Sequence, residues 1–258
     1  MGVSVAAVAL TDLVAYLDDY LDLANVPDYP DAWNGLQVEN GGTVERIAAC
    51  TDACQATFEA AAGLGADLLL VHHGLFWGKG VTPLTDRRYQ RVRQLITADI
   101  ALYSSHLPLD AHPEVGNNIE LARGIGLNVE GRFGEYEGLA IGFWGELQLT
   151  RGELSARLEK LLGTEPFLIA AGPEEVRRVG VVTGGGASMI SQARDAGLDT
   201  FVTGEGPHHS YFDAQEWGLN VLFAGHYATE TLGVKALARH VAEKFGLEWE
   251  FIDHPTGL

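Results

Sequence analysis

The chain has 258 residues, 47% of them hydrophobic, with 32 glycines and 9 prolines, which suits one large globular domain or two smaller ones and excludes a disordered or fibrous chain. Lysine and arginine number 17 against 35 aspartates and glutamates, a net charge of −18; so acidic a surface repels phosphodiester backbones, counts against a nucleic-acid binder and suits divalent cations. The longest apolar runs fall far short of the ~20 residues of a membrane span, and the only cysteines, Cys50 and Cys54, form neither a zinc ribbon nor a disulfide framework, so a reducing cytoplasm is expected.

The start, MGVSVAAVAL, is apolar but has no basic segment before it and runs into four aspartates by position 22, unlike a signal peptide. The pattern predicts a helix capped near Thr11, with Leu13, Val14, Leu17 and Leu21 on one face. Strand and helix then alternate: VERIAACTDA (44–53) is a strand, CQATFEAAAGLGAD (54–67) a helix closed by Gly63 or Gly65, and LLLVHHG (68–74) a buried strand. DRRYQRVRQLITAD (86–99) is a helix, IALYSSHLPLD (100–110) a strand followed by a loop, and GNNIELARGIGL (116–127) a helix. Such alternation predicts an α/β fold with a mainly parallel sheet. Residues 131–175 read as a linker holding a strand or hairpin, the amphipathic helix RGELSARLEKLLG and the strand EPFLIAAG.

From residue 176 the first order returns. VRRVGVVTGGG matches VERIAACTDA, ASMISQARDAGLD matches 54–67, and TFVTGEG matches LLLVHHG. WGLNVLFAGHYATE (217–230) parallels TADIALYSSHLPLD (97–110), which sets His226 against His106 and Glu230 against Asp110. The expectation is two similar α/β lobes, 1–130 and 131–258, with the C-terminal segment able to pack on the first.

In open α/β sheets ligands bind beyond the carboxyl ends of the strands, where His72, His73, His106, Asp110, His226 and Glu230 all fall. If the strand ends at Val71 and Gly74 permits a sharp turn, both imidazoles can leave the pleat. His226 and Glu230 share a face if a helix begins at once. Imidazole and carboxylate together suit zinc, manganese, iron or cobalt. Four histidines and two acids exceed the about four ligands of a tetrahedral zinc and suit two ions ~3.5–4 Å apart, bridged by a carboxylate.

Other histidines read differently: His112, His240 and His254 as loop or helix-surface residues, His208 and His209 as a helix opening or as donors behind the ligands. Gly184, Gly185 and Gly186 form a candidate anion site through their backbone N–H groups, or simply a tight turn; no P-loop lysine follows. Trp33, Phe76 and Trp77 are pocket wall or core. Ser104 and Ser105 lack a nucleophile elbow and Cys54 lacks a base, which leaves water activated by metal as the candidate attacking group.

NGLQVEN (34–40), VHHGLFW (71–77), HLPLDAHPEVGNN (106–118), VTGGGAS (182–188) and AGHYATE (224–230) together resemble the Nif-three-like dinuclear metal-centre family, whose members are often labelled GTP cyclohydrolase I type 2 homologues. The match runs across nearly the whole chain and looks closest to the short bacterial branch without a middle insertion domain. The resemblance implies a two-lobed α/β fold with the metal site between the lobes, and a toroidal homohexamer built as a trimer of dimers. It implies two divalent ions held by His72, His73, Asp110, His226 and Glu230, with Glu230 the bridge and His106 a further ligand or near neighbour. Where longer relatives would have Trp-Asp-Asn, this chain has Trp33-Asn34-Gly35. Three functions compete: a metal-dependent hydrolase acting on a small molecule, a metal-handling protein without turnover, and a ring around nucleic acid, against which the charge counts.

Overall fold

The computed structural model describes residues 7–78 and 83–258; the apolar start at 1–6 lies outside them. In chain order come β1 (Val8–Ala9), α1 (Leu10–Tyr20), β2 (Gly35–Val38), β3 (Thr43–Val44), β4 (Arg46–Asp52), α2 (Gln55–Leu64), β5 (Leu68–His73), α3 (Asp86–Thr97) and β6 (Ala101–Ser104). They are followed by α4 (Leu107–Ala111), α5 (Asn117–Ile125), β7 (Asn128–Tyr136), β8 (Leu139–Thr150), α6 (Arg151–Leu162), β9 (Phe167–Ala170) and β10 (Glu175–Val182). The chain ends with α7 (Ile190–Asp195), β11 (Thr200–Thr203), α8 (Ser210–Trp217), β12 (Asn220–Phe223), α9 (His226–Phe245) and β13 (Glu248–Phe251). The fold is α/β, as the alternation requires.

Two compact units result. One comprises the described residues through Leu109 together with Val234–His254; the other comprises Asp110–Gly233 and Pro255–Leu258. This division differs from the expected 130/131 boundary for a packing reason. Helix α5 places Ile119, Leu121, Ala122 and Ile125 in the second core, beside Val179, Val181, Val202 and Leu222. Strand β13 instead adds in parallel to β4, with Trp249 opposite Ile47, and Ile252 enters the first core.

The first unit holds a five-stranded sheet in the order β13-β4-β5-β6-β2. Strands β4, β5 and β6 run parallel, and β2 closes the edge antiparallel to β6. Leu69, Val71, Leu102 and Phe58 are buried in its core, so near-continuous apolar strands are covered on both faces. Helix α1 starts one residue before the expected cap: Ala9 sits at the N-cap without a side-chain bond, and Thr11 lies in the first turn. Leu10, Leu13 and Leu17 are its buried residues, while Val14 is half-buried.

The second unit holds a six-stranded sheet, β7-β8-β10-β11-β12-β9. Its centre, β10-β11-β12, is parallel, flanked by the antiparallel strands β8 and β9. The linker thus contributes the β7–β8 hairpin, helix α6 and strand β9. Thr150 caps α6, its Oγ1 accepting from Glu153 N at 3.2 Å while Glu153 Oε2 accepts from Thr150 N at 2.8 Å, a capping box readable in the sequence. Among the described residues no helix is long and apolar enough to cross a membrane.

Candidate metal centre

Strand β5 does not stop at Val71 but continues through His73. The parallel register sets Asp52, the last residue of β4, opposite His73, and its Oδ1 lies 2.8 Å from His73 Nδ1. His72 is fully buried, with Nδ1 3.0 Å from the Ser105 carbonyl oxygen. His106 follows β6 and is held by a residue from a distant loop: its Nδ1 lies 2.8 Å from Asp28 Oδ1. Asp28 Oδ2 also accepts the Leu107 N–H at 3.0 Å and the Asn34 amide at 2.8 Å, and Asn34 Oδ1 accepts the His106 N–H at 2.7 Å. Burial pushes the Asp28 carboxyl up, yet the His106 ring, Asn34 and the Tyr29 N–H outweigh it and hold the group below its ordinary value.

The three rings converge although two sit on successive strand positions. Ligand atoms of His72, His73 and His106 lie within 4.8 Å of one another, close enough to share an ion. The turn beyond His73 is fixed by Gln37, whose Oε1 accepts from Leu75 N at 2.8 Å and Phe76 N at 3.1 Å. Gly74 serves close packing here and not an unusual φ, because a Cβ there would push against the ends of the Gln37 and Ser104 side chains. Trp33 and Trp77 are 54% and 41% exposed and so are not core; Trp77 stands edge-on to His106 with ring centroids 5.1 Å apart.

In the second unit, α9 begins at His226 itself, which brings the i, i+4 pair onto one face: His226 Nε2 is 3.1 Å from Glu230 Oε2. Glu205, just past β11, accepts at 2.8 Å from His226 Nδ1. The hydrogen bond to Glu230 raises the His226 pKa to about 9, against burial and with help from Glu205. Glu230 is buried and lies against Gly184, which has φ +62°; a Cβ there would collide with Glu230 Oε1. The glycine turn is therefore explained by space. Gly184 N donates to Thr229 Oγ1 and Gly186 N to Thr203 Oγ1, both at 3.0 Å, which commits two of the three N–H groups expected to face an anion.

Asp110 sits in helix α4, where a loop was expected. Pro108 is tolerated in the first turn of a helix, and so short a helix gives no periodic pattern. The Asp110 carboxylate Oδ1 accepts from Asn117 Nδ2 at 2.9 Å and Thr183 Oγ1 at 3.2 Å, and Asn117 Oδ1 in turn accepts from Gly233 N at 2.6 Å. Of the remaining histidines, His112 is buried and its Nδ1 accepts from the backbone of Glu114 and Val115. His240 lies against the Tyr20 ring, and His208 packs edge-on to Phe212.

This arrangement accompanies a sequence match over residues 8–257 to the Duf34/NIF3 (NGG1p interacting factor 3) model. The chain belongs to the DUF34/NIF3 family. It is 47% identical to a Deinococcus radiodurans GTP cyclohydrolase 1 type 2 homolog over 96% of this chain and 94% of that one. It is 42% identical to the Archaeoglobus fulgidus protein of the same name, over 96% and 99%. The crystal structure of TTHA1606 from Thermus thermophilus superposes with a TM-score of 0.89 at 42% identity, covering 97% of this chain and all of the other. The structural-genomics protein ybgI, of unknown function, gives a TM-score of 0.91 at 39% identity with the same coverage.

DUF34/NIF3 membership leaves the chemistry of the donors to be judged on the residues themselves. A carboxylate or carbonyl oxygen can only accept, so each Nδ1 that faces one must donate to it. In a neutral ring the lone pair is then on Nε2, the usual form of a metal-binding histidine whose orientation is fixed from behind. Three such rings in the first unit are donors that suit a first-row divalent ion, and so, taken by themselves, are the ring and buried carboxylate of the second. Asp28, Asp52 and Glu205 were not singled out by the sequence. Asp52 could have been, since parallel pairing places it beside His73; Asp28 gives no local signal.

Proposed function

We propose that the protein is a metal-dependent hydrolase whose dinuclear centre is held by His72, His73, Asp110, His226 and Glu230. In this reading Glu230 is shared between the ions, and His106 is a further ligand or their neighbour. One observation carries it: all four candidate histidines have Nδ1 on an oxygen acceptor, at 3.0 Å for His72 and 2.8 Å for His73, His106 and His226. Ring orientation is thus set before any ion arrives, and the chain spends three carboxylates on it. When bound, divalent ions supply Lewis acidity and generate a nucleophile from water near neutral pH. The protein's own part is to fix the donors, hold the Glu230 carboxyl group in a buried position beside His226, and keep Asp110 aimed through Asn117 and Thr183.

The relatives' name suggests a purine nucleotide as substrate. For this chain that finer statement has little support from charge, since −18 opposes a triphosphate. The reading also takes in the homohexamer implied by the resemblance, which light scattering tests against the 27.7 kDa chain. The deciding experiment is elemental analysis of gently purified protein, followed by a hydrolase screen with the metal found. About two ions per chain with turnover would support the proposal. No ions after reconstitution with zinc, manganese and iron would overturn it, and two ions without turnover would identify ion handling instead.

A further inference from the structure

The second unit contains a cavity of about 730 Å³ that the metal ligands do not occupy. It lies beyond the carboxyl end of β11, between the turn Gly186–Met189 with the start of α7 on one side and α8 on the other. Glu205 lines it, and the same carboxylate receives the Nδ1 proton of His226. The cavity therefore adjoins the candidate centre through a residue that belongs to both.

Its chemistry is uneven in a useful way. Trp217, Ile190 and Pro207 supply apolar surface, while Ser191, His209 and Asp213 supply hydrogen-bonding groups. Glu205 and Asp213 are acceptors on a strongly acidic chain, and among the described lining residues there is no lysine or arginine. A neighbouring cation is already engaged: the Arg194 guanidinium lies over the Trp217 ring at 4.4 Å and is paired with Asp195. A phosphate ester placed here would meet the Glu205 and Asp213 carboxylates with the His209 imidazole as the one lining side chain able to carry an opposite charge, whereas amino and hydroxyl groups would find acceptors. The volume matches sites for small molecules with an apolar face and a few oriented polar groups.

We infer that this cavity binds an amine-bearing, hydroxylated ring compound and selects against its phosphate esters. As a substrate site it rests on the hydrolase reading; as a binding site it stands on the cavity alone. Loss of a ligand from Glu205 would also be felt by His226, which links occupancy of the cavity to the centre.

The test uses matched pairs that differ only in phosphate: guanosine against guanosine triphosphate, and glucosamine against glucosamine 6-phosphate. Binding to the full-length protein is measured by calorimetry, with metal content determined on the same samples. The unphosphorylated member of at least one pair should bind about tenfold or more tightly than its ester. Asp213→Asn should reduce that preference several-fold, and Ser191→Trp, which fills the cavity from α7, should abolish binding. Both variants should keep the metal content of the parent and its cooperative thermal melt, the melt showing that they are folded. Equal or tighter binding of the esters, binding that survives Ser191→Trp, or no binding by any of the four compounds overturns the inference. Binding as expected in a protein that takes up no metal would leave this site standing and remove the hydrolase reading.

Discussion

The two parallel cores are one construction used twice, and their strand ends are where they part. Ile47 opposes Leu68 and Leu68 opposes Ala101 in the first sheet; Val179 opposes Thr200 and Thr200 opposes Asn220 in the second. Asp67 Oδ2 accepts the N–H groups of Glu45 and Arg46, and Asp199 Oδ2 does the same for Arg177 and Arg178. Yet Asp52 in the first core corresponds to Gly184 in the second, and His72-His73 to Gly204-Glu205. The first core carries its imidazoles on the strand, with an acid on the neighbouring strand. The second strips the strand ends to glycine and brings His226 and Glu230 in on a helix. Room made by Gly184 is what allows the helix-borne carboxylate to sit there.

The candidate ligands carried by the helix, as proposed above, should be decisive for metal. Glu230→Ala is expected to lower metal affinity by more than about 100-fold, beyond the roughly 10–100-fold typical of groups that merely orient ligands. Above about pH 9, where the His226 ring is neutral and its pairing with Glu230 is already lost, the metal-free melting temperature should stay within a few degrees, since no core apolar contact is lost. Elemental analysis after dialysis, with a thermal melt, checks both. Full occupancy in the variant would remove Glu230 from the ligand set.

The second core also differs in its protons. In the metal-free protein the His226 pKa is raised from 6.5 to about 9, so the ring is protonated at neutral pH. Because the folded value is the higher one, this pairing stabilises the metal-free protein below about pH 6.5 and is lost as pH rises through about 9. A cation bound by His226, as proposed, must displace that proton. Its affinity should therefore rise by up to about tenfold per pH unit between about pH 7 and 9 and then level off. Titrations at several pH values give the slope, and a flat profile would exclude His226 as a ligand.

Much of the molecule is legible in its sequence, and the failures have physical causes. Strand–helix alternation, the His72-His73 strand end and the His226/Glu230 helix face are all local patterns, set by periodicity within a few residues. The repeat is also visible, though the sequence alignment of its third strand is one residue out. Val71 opposes Ser104 and Thr203 opposes Phe223, so His106 corresponds to Gly225 and His226 comes one position later. Short apolar strands tolerate such a slip without changing their pattern; only the hydrogen-bonded register decides it. The acids behind the rings are illegible for a different reason. Asp28 reaches His106 from a loop 78 residues away in the chain, and among 35 acidic residues nothing local distinguishes it.

Those acids give a graded comparison. The Asp28 side chain is 7% exposed, Asp52 34% and Glu205 51%, and water weakens a charge-assisted hydrogen bond as exposure rises. Replacing each by its amide should therefore cost most at Asp28, less at Asp52 and least at Glu205. The expected range in metal affinity is about 10-fold to a few-fold. Asp28→Asn should also lower stability by about 1–3 kcal/mol, because the carboxylate serves His106, Leu107 and Asn34 at once. Denaturant melts and competitive metal titrations on the three variants check the order; a Glu205→Gln effect larger than that of Asp28→Asn would reverse it.

The smallest effect isolates one hydroxyl in each core. Thr51 and Thr183 occupy equivalent positions at the ends of β4 and β10, and both are buried. Thr183 Oγ1 donates to Asp110 Oδ1 at 3.2 Å, whereas Thr51 Oγ1 has no hydrogen-bond partner among the described residues. Valine keeps the shape and removes the hydroxyl, so the two substitutions should differ in sign. Thr183→Val removes a bond to a charged group and should cost about 1–2 kcal/mol, while Thr51→Val relieves a buried polar atom and should gain up to about 1 kcal/mol. Paired urea melts of the two variants measure the difference directly. A loss at Thr51 equal to that at Thr183 would mean that its hydroxyl is satisfied by bound water, and that the first core carries a polar contact matching the one in the second.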